Sequence, residues 1–262
     1  MNRYSIKDIE AVSGVKAHTL RMWEQRYDFV QPKRTDTNIR YYTDEDLKKI
    51  LNVALLNRNG YRISKICALA VEEINQKVKQ LTEAESAHED KVQGLMLSML
   101  DLDEYRFERV FSTAVVQLGL EQCFVEVIGP FMERIGVLWT TGSINPAHEH
   151  FVSNLIRQKV IVAIDGQIED QRADRCTALL FLPEGEWHEL GLLMSAFIIK
   201  SAGHRVIYLG ANLPNSDIEE VVEQVKPQLL FSCVTMMPTT YDLPDFFSRI
   251  SRKFPALKIA LT

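Results

Sequence analysis

Apolar residues recur at three- and four-residue steps through the first part of the chain. Ile6, Ile9, Val12 and Val15, continued by Leu20 and Trp23, mark one face of helical segments. Between them, SGVKAHT supplies a glycine and a break, as a helix-turn-helix requires. Further on, QPKRTDTN is rich in turn formers, IRYY is strand-like, and Thr43 before DED is placed to cap a helix. Two short helices, a basic hairpin and a further helix make a winged arrangement. Residues 76 to 168 are helical throughout by pattern, with breaks expected at Gly119, Gly129–Pro130 and TTGSINP, so three or four helices form a bundle. SAHED near residue 88 reads as a polar link before it. From residue 172 the period changes. TALLFLP, RVIYLG, LLFSCV and LKIALT read as strands, separated by helices in LGLLMSAFIIKSAG, SDIEEVVEQVK (capped by Ser216 or Asp217) and LPDFFSRISRKF. Strands joined by helices predict a doubly wound parallel sheet, in which ligands bind at the carboxyl ends of strands.

Composition adjusts this picture. With 46% hydrophobic and 25% charged residues, the 262-residue chain has ordinary globular make-up and room for two or three domains. The N-terminus MNRYSIKDIE is polar and begins a helical pattern at once, so no secretory leader is expected. No apolar run approaches the roughly 20 residues that span a bilayer, so no membrane partner is expected. Cys67, Cys123, Cys176 and Cys233 lie far apart without paired spacing. That fits a reducing, cytoplasmic setting and disfavours a disulfide framework, a zinc finger or a thiolate metal sensor. The net charge of −5 is unevenly spread: residues 1–70 carry 13 Lys/Arg against 8 Asp/Glu, the remainder 17 against 27. A basic front end ahead of an acidic body predicts that only the front meets a polyanion.

Lys16, His18 and Arg21 fall on the exposed side of the second predicted helix, from which long side chains reach base edges and phosphates in a major groove. Lys33, Arg34 and Arg40 fall on the predicted wing, within reach of the backbone. In the third segment, EGEWHELG follows the first strand and sets His188 between Glu186 and Glu189, with Gly191 opening the next helix. A histidine at such an edge coordinates a metal when a carboxylate holds its other ring nitrogen, and Glu186 and Glu189 are the candidates. Taken alone, E-x-H-x-x-G reads first as a surface histidine in a polar turn. Trp139 and Glu149–His150 likewise read alone as a core residue and a polar helix start. A His148/His150 metal pair is disfavoured because helical i,i+2 spacing points the two apart.

The segment TLRMWEQRYDFVQPKRTDTNIRYYTDEDL resembles the DNA-binding domain of MerR-type regulators over residues 3–73, with Arg21, Trp23, Glu24, Arg26, Pro32, Arg34, Arg40 and Tyr42 in the family's pattern. The resemblance implies binding to double-stranded operator DNA and adds Arg26, Tyr41 and Tyr42 to the DNA-facing set. MerR-type chains usually continue into a long dimerisation coiled coil, whereas sustained heptads are absent here. EGEWHELG, AGHRVIYLGANLP and LLFSCVT resemble the flavodoxin-like cobalamin-binding domain of methionine synthase-type proteins. That likeness makes His188 the lower axial ligand of cobalt, with Glu186 where the family usually has Asp. Gly191, Gly210, Ser232 and Thr235 would line the slot for the corrinoid's nucleotide tail. A GG normally follows the next strand, but the chain stops at LKIALT, so the last strand and helix of this domain are expected to be missing. Together with W-x9-E-H in the bundle, the whole resembles CarA/CarH-type adenosylcobalamin-dependent photoreceptor repressors. There the bundle caps the upper face of the corrin, which implies Trp139, Glu149 and His150 around the adenosyl group. Light-responsive members carry a histidine directly after the tryptophan. Here that position is Thr140, a poor cobalt ligand, so a bis-histidine light state is not expected by that route.

A multidomain chain is therefore expected: a winged helix-turn-helix over 1–75, a four-helix bundle over 76–170 and a cobalamin-binding α/β domain over 171–262. The implied function is that of a repressor, not an enzyme. Its assembly into a dimer or tetramer, and hence its operator binding, would be controlled by adenosylcobalamin and light, with RNA polymerase at an overlapping promoter as a further partner. A MerR-type regulator with a cobalamin-independent effector domain acting through protein partners is the alternative. A corrinoid carrier module of an enzyme is more distant, since no catalytic barrel accompanies the winged domain.

Overall fold

The computed structural model describes residues 2–35, 37–83, 88–167, 175–235 and 242–262. The chain forms two compact units, Met1–Val152 and Ser153–Thr262. In the first, α1 (Ile6–Ser13) opens with a capping box in which the side chains of Ser5 and Asp8 each bind the other's backbone N–H. It ends at Gly14, whose φ of 72° is the left-handed geometry glycine supplies at a helix end. Then come α2 (Ala17–Tyr27) and the antiparallel two-residue strands β1 (Lys33–Arg34) and β2 (Arg40–Tyr41) of the wing. α3 (Asp44–Arg58) starts at the expected cap, where Thr43 and Asp46 form a second capping box. Ile9, Val12, Leu20 and Trp23 are buried, so the apolar face read from the sequence is the core of this module. α4 (Ile63–Ile66) and α5 (Val71–Glu83) follow, and the boundary expected after residue 75 falls inside α5.

The bundle begins with α6 (His88–Asp101), buried along most of its length and packed against both α5 and α7 (Glu104–Leu118). Gly119 breaks the chain as expected. At Gly129–Pro130, however, no break occurs. α8 (Leu120–Cys123), a π-helical turn (Phe124–Ile128) and α9 (Gly129–Thr140) run on without interruption. Pro130 has no N–H to donate back along a helix, and the wider turn absorbs that mismatch. The Gly129 N–H donates to the Phe124 carbonyl, and a Cβ at Gly129 would sit 3.4 Å from that oxygen. α10 (Pro146–Asp165) follows TTGSINP, and the division between the two units falls within it.

In the second unit, β3 (Thr177–Pro183), α11 (Leu190–Ser201), β4 (Arg205–Leu213), α12 (Asn215–Val225), β5 (Leu229–Ser232), α13 (Leu243–Lys253) and β6 (Lys258–Leu261) alternate. The strands are all parallel, in the order β4-β3-β5-β6. Alternation along β3 decides the layering. Leu179 and Phe181 pack against α12 and α13 through Ile218, Val222, Phe246 and Ile250, while Ala178, Leu180 and Leu182 pack against α11 through Leu192 and Ala196. Helices therefore cover both faces, the doubly wound arrangement. The chain goes from β3 outward to β4 and then returns to β5 on the other side of β3. That reversal opens a crevice at the carboxyl ends of β3 and β5. α12 departs from the expected cap: it starts at Asn215 with Pro214 before it, and the Ser216 hydroxyl binds the Asp217 carboxylate instead of the helix end. The domain boundary expected at 170/171 lies outside the described residues.

Burial also sorts the cysteines. Desolvation pushes the Cys123 thiol up to about 12, whereas Cys176 is exposed. Iodoacetamide at about pH 8 is expected to label Cys176 of the native protein and to leave Cys123 unlabelled until denaturant is added, as read by peptide mass analysis.

Candidate functional site

At the basic end, Lys16, His18, Arg21 and Arg26 are all exposed on or beside α2, and Lys33, Arg34 and Arg40 are exposed on the wing. A groove of about 530 Å³ is lined by Arg21, Glu24, Gln25, Gln31, Pro32 and Arg40. Several of these side chains are braced. Lys16 Nζ lies 2.9 Å from Glu10 Oε1, and Glu10 Oε2 accepts from the Ala17 N–H at 3.0 Å, so a carboxylate on α1 caps the start of α2. The bond to Lys16 holds the Glu10 carboxyl below its usual range. Arg34 donates across the hairpin tip to Asn38 Oδ1 at 2.7 Å, and the Arg3 guanidinium lies 5.0 Å from the Tyr41 ring.

Tyr42, expected among the DNA-facing residues, does not lie at the surface. It is fully buried, and its hydroxyl donates to Glu24 Oε1 at 2.6 Å, which ties the end of the wing to α2. Tyr4 pairs with it through reciprocal 2.9 Å backbone bonds. Burial, together with the neighbouring Glu24 carboxylate, pushes the Tyr42 hydroxyl well above its ordinary range, so it stays a donor. The resemblance puts Tyr42 in the DNA-facing set; the fold instead spends its ring on core packing and its hydroxyl on the brace to Glu24.

At the acidic end, the turn after β3 is organised by one carboxylate. Glu186 is 2% exposed. Its Oε1 accepts from the backbone N–H groups of Trp187 and His188, each at 2.9 Å, and from His188 Nδ1 at 2.6 Å. Its Oε2 accepts from the Thr235 N–H at 2.7 Å, across the crevice from β5. A neutral imidazole that donates from Nδ1 to a carboxylate has its lone pair on Nε2, and the His188 side chain is 56% exposed. Glu189, the other candidate for holding His188, turns elsewhere: it binds Arg157 Nε and accepts from the Tyr208 hydroxyl at 3.0 Å. Gly191 faces the residue after β5 at ordinary contact distance, a Cβ there falling 3.6 Å from Cys233 Sγ, and Gly210 has a φ of 86°. Ser232 is fully buried, and among the described residues its Oγ has no hydrogen-bond partner. Thr235 contributes its backbone N–H, a role the side-chain reading missed and that no local sequence signal carries.

In the first unit, Trp139 stands in the last turn of α9, 49% exposed, and the Thr140 hydroxyl folds back onto the Val137 carbonyl at 2.9 Å. Glu149 and His150 lie in the first turns of α10, with His150 Nδ1 2.7 Å from Glu149 Oε2.

Residues 4–70 match the family described as MerR HTH family regulatory protein, and residues 92–163 that described as B12 binding domain. The HTH-type transcriptional repressor CarA of Myxococcus xanthus is 30% identical over 227 residues, covering 86% of this chain and 74% of that one. The chain belongs to the CarA/CarH-type repressors, MerR-type regulators with a B12-binding domain. The HTH-type transcriptional repressor CarH of the same organism is 27% identical over 258 residues, covering 96% of this chain and 85% of that one. The HTH-type transcriptional regulator MlrA of Escherichia coli is similar only over the winged module, at 32% identity across 66 residues, 25% of this chain and 27% of that one.

The donor set of the turn after β3 fits, in its chemistry, what a corrinoid's metal would require. A histidine with a carboxylate on its far nitrogen is a well-oriented, basic ligand for a transition metal. The Ser232 hydroxyl, without a partner among the described residues, is a buried polar group that a ligand's polar edge would satisfy. Glu186→Gln would set an amide NH2, which cannot accept, against backbone donors. It is expected to destabilise the second unit by about 2 kcal/mol, seen as a lowered midpoint in urea unfolding.

Proposed function

We propose that this repressor binds operator DNA through α2 and the wing, and that adenosylcobalamin controls its self-assembly. His188 would be the lower cobalt ligand and Gly191, Gly210, Ser232 and Thr235 the lining of the nucleotide-tail slot. Trp139, Glu149 and His150 would attend the adenosyl group. The observation that carries this reading is His188 at the switch of the sheet, its Nδ1 bound to a buried carboxylate and its Nε2 free. When bound, the cofactor supplies a cobalt–carbon bond that light breaks; that photochemistry is the cofactor's own. The chain's part is to hold and to couple. Glu186 fixes the ring of His188, and assembly brings several winged modules onto one operator, strengthening binding by avidity. Thr140, occupied with the Val137 carbonyl, is no substitute for a second imidazole. A cytoplasmic setting follows from this role, with operator occupancy excluding RNA polymerase from an overlapping promoter.

The deciding measurement mixes full-length protein with adenosylcobalamin in the dark and records visible spectrum and particle size before and after green light. Retained corrinoid and a larger dark assembly are expected; a flow-through free of corrinoid would overturn the cofactor assignment. His188→Ala is expected to weaken corrinoid retention and change the bound spectrum while leaving DNA binding of the winged module intact. Arg21→Ala should do the reverse, lowering affinity for duplex DNA by about tenfold in an anisotropy titration and leaving the corrinoid spectrum unchanged.

A further inference from the structure

The winged module and the bundle share the first unit, and two polar junctions join them, one buried and one half-buried. The first starts at Trp139. α9 ends in a Schellman motif: Gly142, at a φ of 65°, donates to the Trp139 carbonyl at 2.9 Å, and Ser143 donates to the Leu138 carbonyl at 2.9 Å. The place of Ser143 is therefore set by the turn that carries Trp139. Its hydroxyl, 2.9 Å from the Thr141 hydroxyl, donates to Asp8 Oδ2 of α1 at 2.9 Å, and both Ser143 and Asp8 are 3% exposed. The second junction lies earlier on α9. Arg134 Nη2 reaches both oxygens of Glu89 on α6, at 2.6 and 2.7 Å; Glu89 in turn meets Arg58 of α3, whose other nitrogen reaches the carbonyl of Ser13. α1 itself packs on α9.

We propose that these junctions form a clasp through which the Trp139 turn holds the DNA-binding module, with Ser143 and Arg134 as its positioning residues. The clasp grips α1, and α1 carries Glu10, which caps α2 at Ala17 and binds Lys16. A connected path thus runs from Trp139 to the start of the DNA-facing helix: the Schellman turn, Ser143, Asp8, α1, Glu10 and Ala17. The clasped state is competent rather than occluded, because it grips α1 and the end of α3 and leaves Lys16, His18 and Arg21 exposed. What it adds is fixed orientation, which removes rotational freedom that would otherwise be lost on binding. The clasp follows from the contacts alone; its use as a relay rests on the reading that Trp139 attends the cofactor. A ligand that packs on Trp139 would favour the clasped arrangement in proportion to its preference for that arrangement.

Hydrogen exchange of the full-length protein separates the two statements. Three variants are compared with the parent in the dark: Ser143→Ala, Ser143→Ala/Arg134→Met, and Ser98→Ala. The last removes a buried bundle hydroxyl that binds only the Leu95 carbonyl. Without cofactor, the amides of α1 are expected to exchange about fivefold or more faster in the double variant, less so in Ser143→Ala, and at the parent rate in Ser98→Ala. Equal rates in parent and double variant would overturn the clasp, as would an equal acceleration by Ser98→Ala. With adenosylcobalamin added, α1 exchange should slow in the parent but not in the double variant, both retaining the corrinoid spectrum. Bound corrinoid with no change in parental α1 exchange would overturn the relay. If the parent retains no corrinoid, the cofactor reading fails, while the first comparison still decides the clasp.

Discussion

A carboxylate buried at the end of a strand is tolerable only when its lone pairs are met, and Glu186 meets that demand with four N–H donors. Three come from its own turn and one from beyond β5, so the same satisfaction that permits burial also draws the two loops of the switch crevice together. β3, buried from Ala178 to Pro183, makes this possible. With its side chains alternately locked under α11 and under α12 and α13, the strand delivers Glu186 to the crevice at a fixed height. His188 is then a consequence. A ring whose Nδ1 is held by a fixed carboxylate has one free nitrogen and one orientation, which is what a metal ligand needs and what a surface histidine lacks.

Much of this was legible because it is local. Alternation and apolar runs placed β3 at its observed bounds, Thr43 announced the start of α3, and Gly14 the end of α1. The identity of the pair Glu186 and His188 was also legible, since they are two residues apart. Which of Glu186 and Glu189 holds the ring was not. The answer depends on Arg157 and Tyr208, 32 and 19 residues away from Glu189, and on the Thr235 N–H, 49 residues away from Glu186. Tyr42 shows the same limit: its place in a family motif marks importance, but only the fold reveals that the ring is core and the hydroxyl a brace. The contact between Ser143 and Asp8, 135 residues apart, had no sequence signal at all.

The two ends of the chain use a common device. Glu10 at the start of α2 and Glu186 before α11 each spend a carboxylate on backbone N–H groups beside a functional cation or ring. Backbone donors do not rotate away, so a carboxylate anchored on them positions its other partner more firmly than a side-chain pair would. Lys16 and His188 are both held in this manner, one on a flexible stem and the other on a rigid ring.

The π-helical turn at Phe124–Ile128 has a consequence for how such a sensor changes over time. Each residue rotates an α-helix by about 100°, so one residue gained or lost upstream swings every later side chain around the axis. By lodging a wider turn ahead of α9, the fold has made the azimuth of Trp139 a matter of chain length rather than of residue choice. A single-residue deletion in that turn would shift the register between α8 and α9 without any substitution at Trp139 itself. The facing of such a helix can drift by insertion or deletion, along a route that substitution scans never sample.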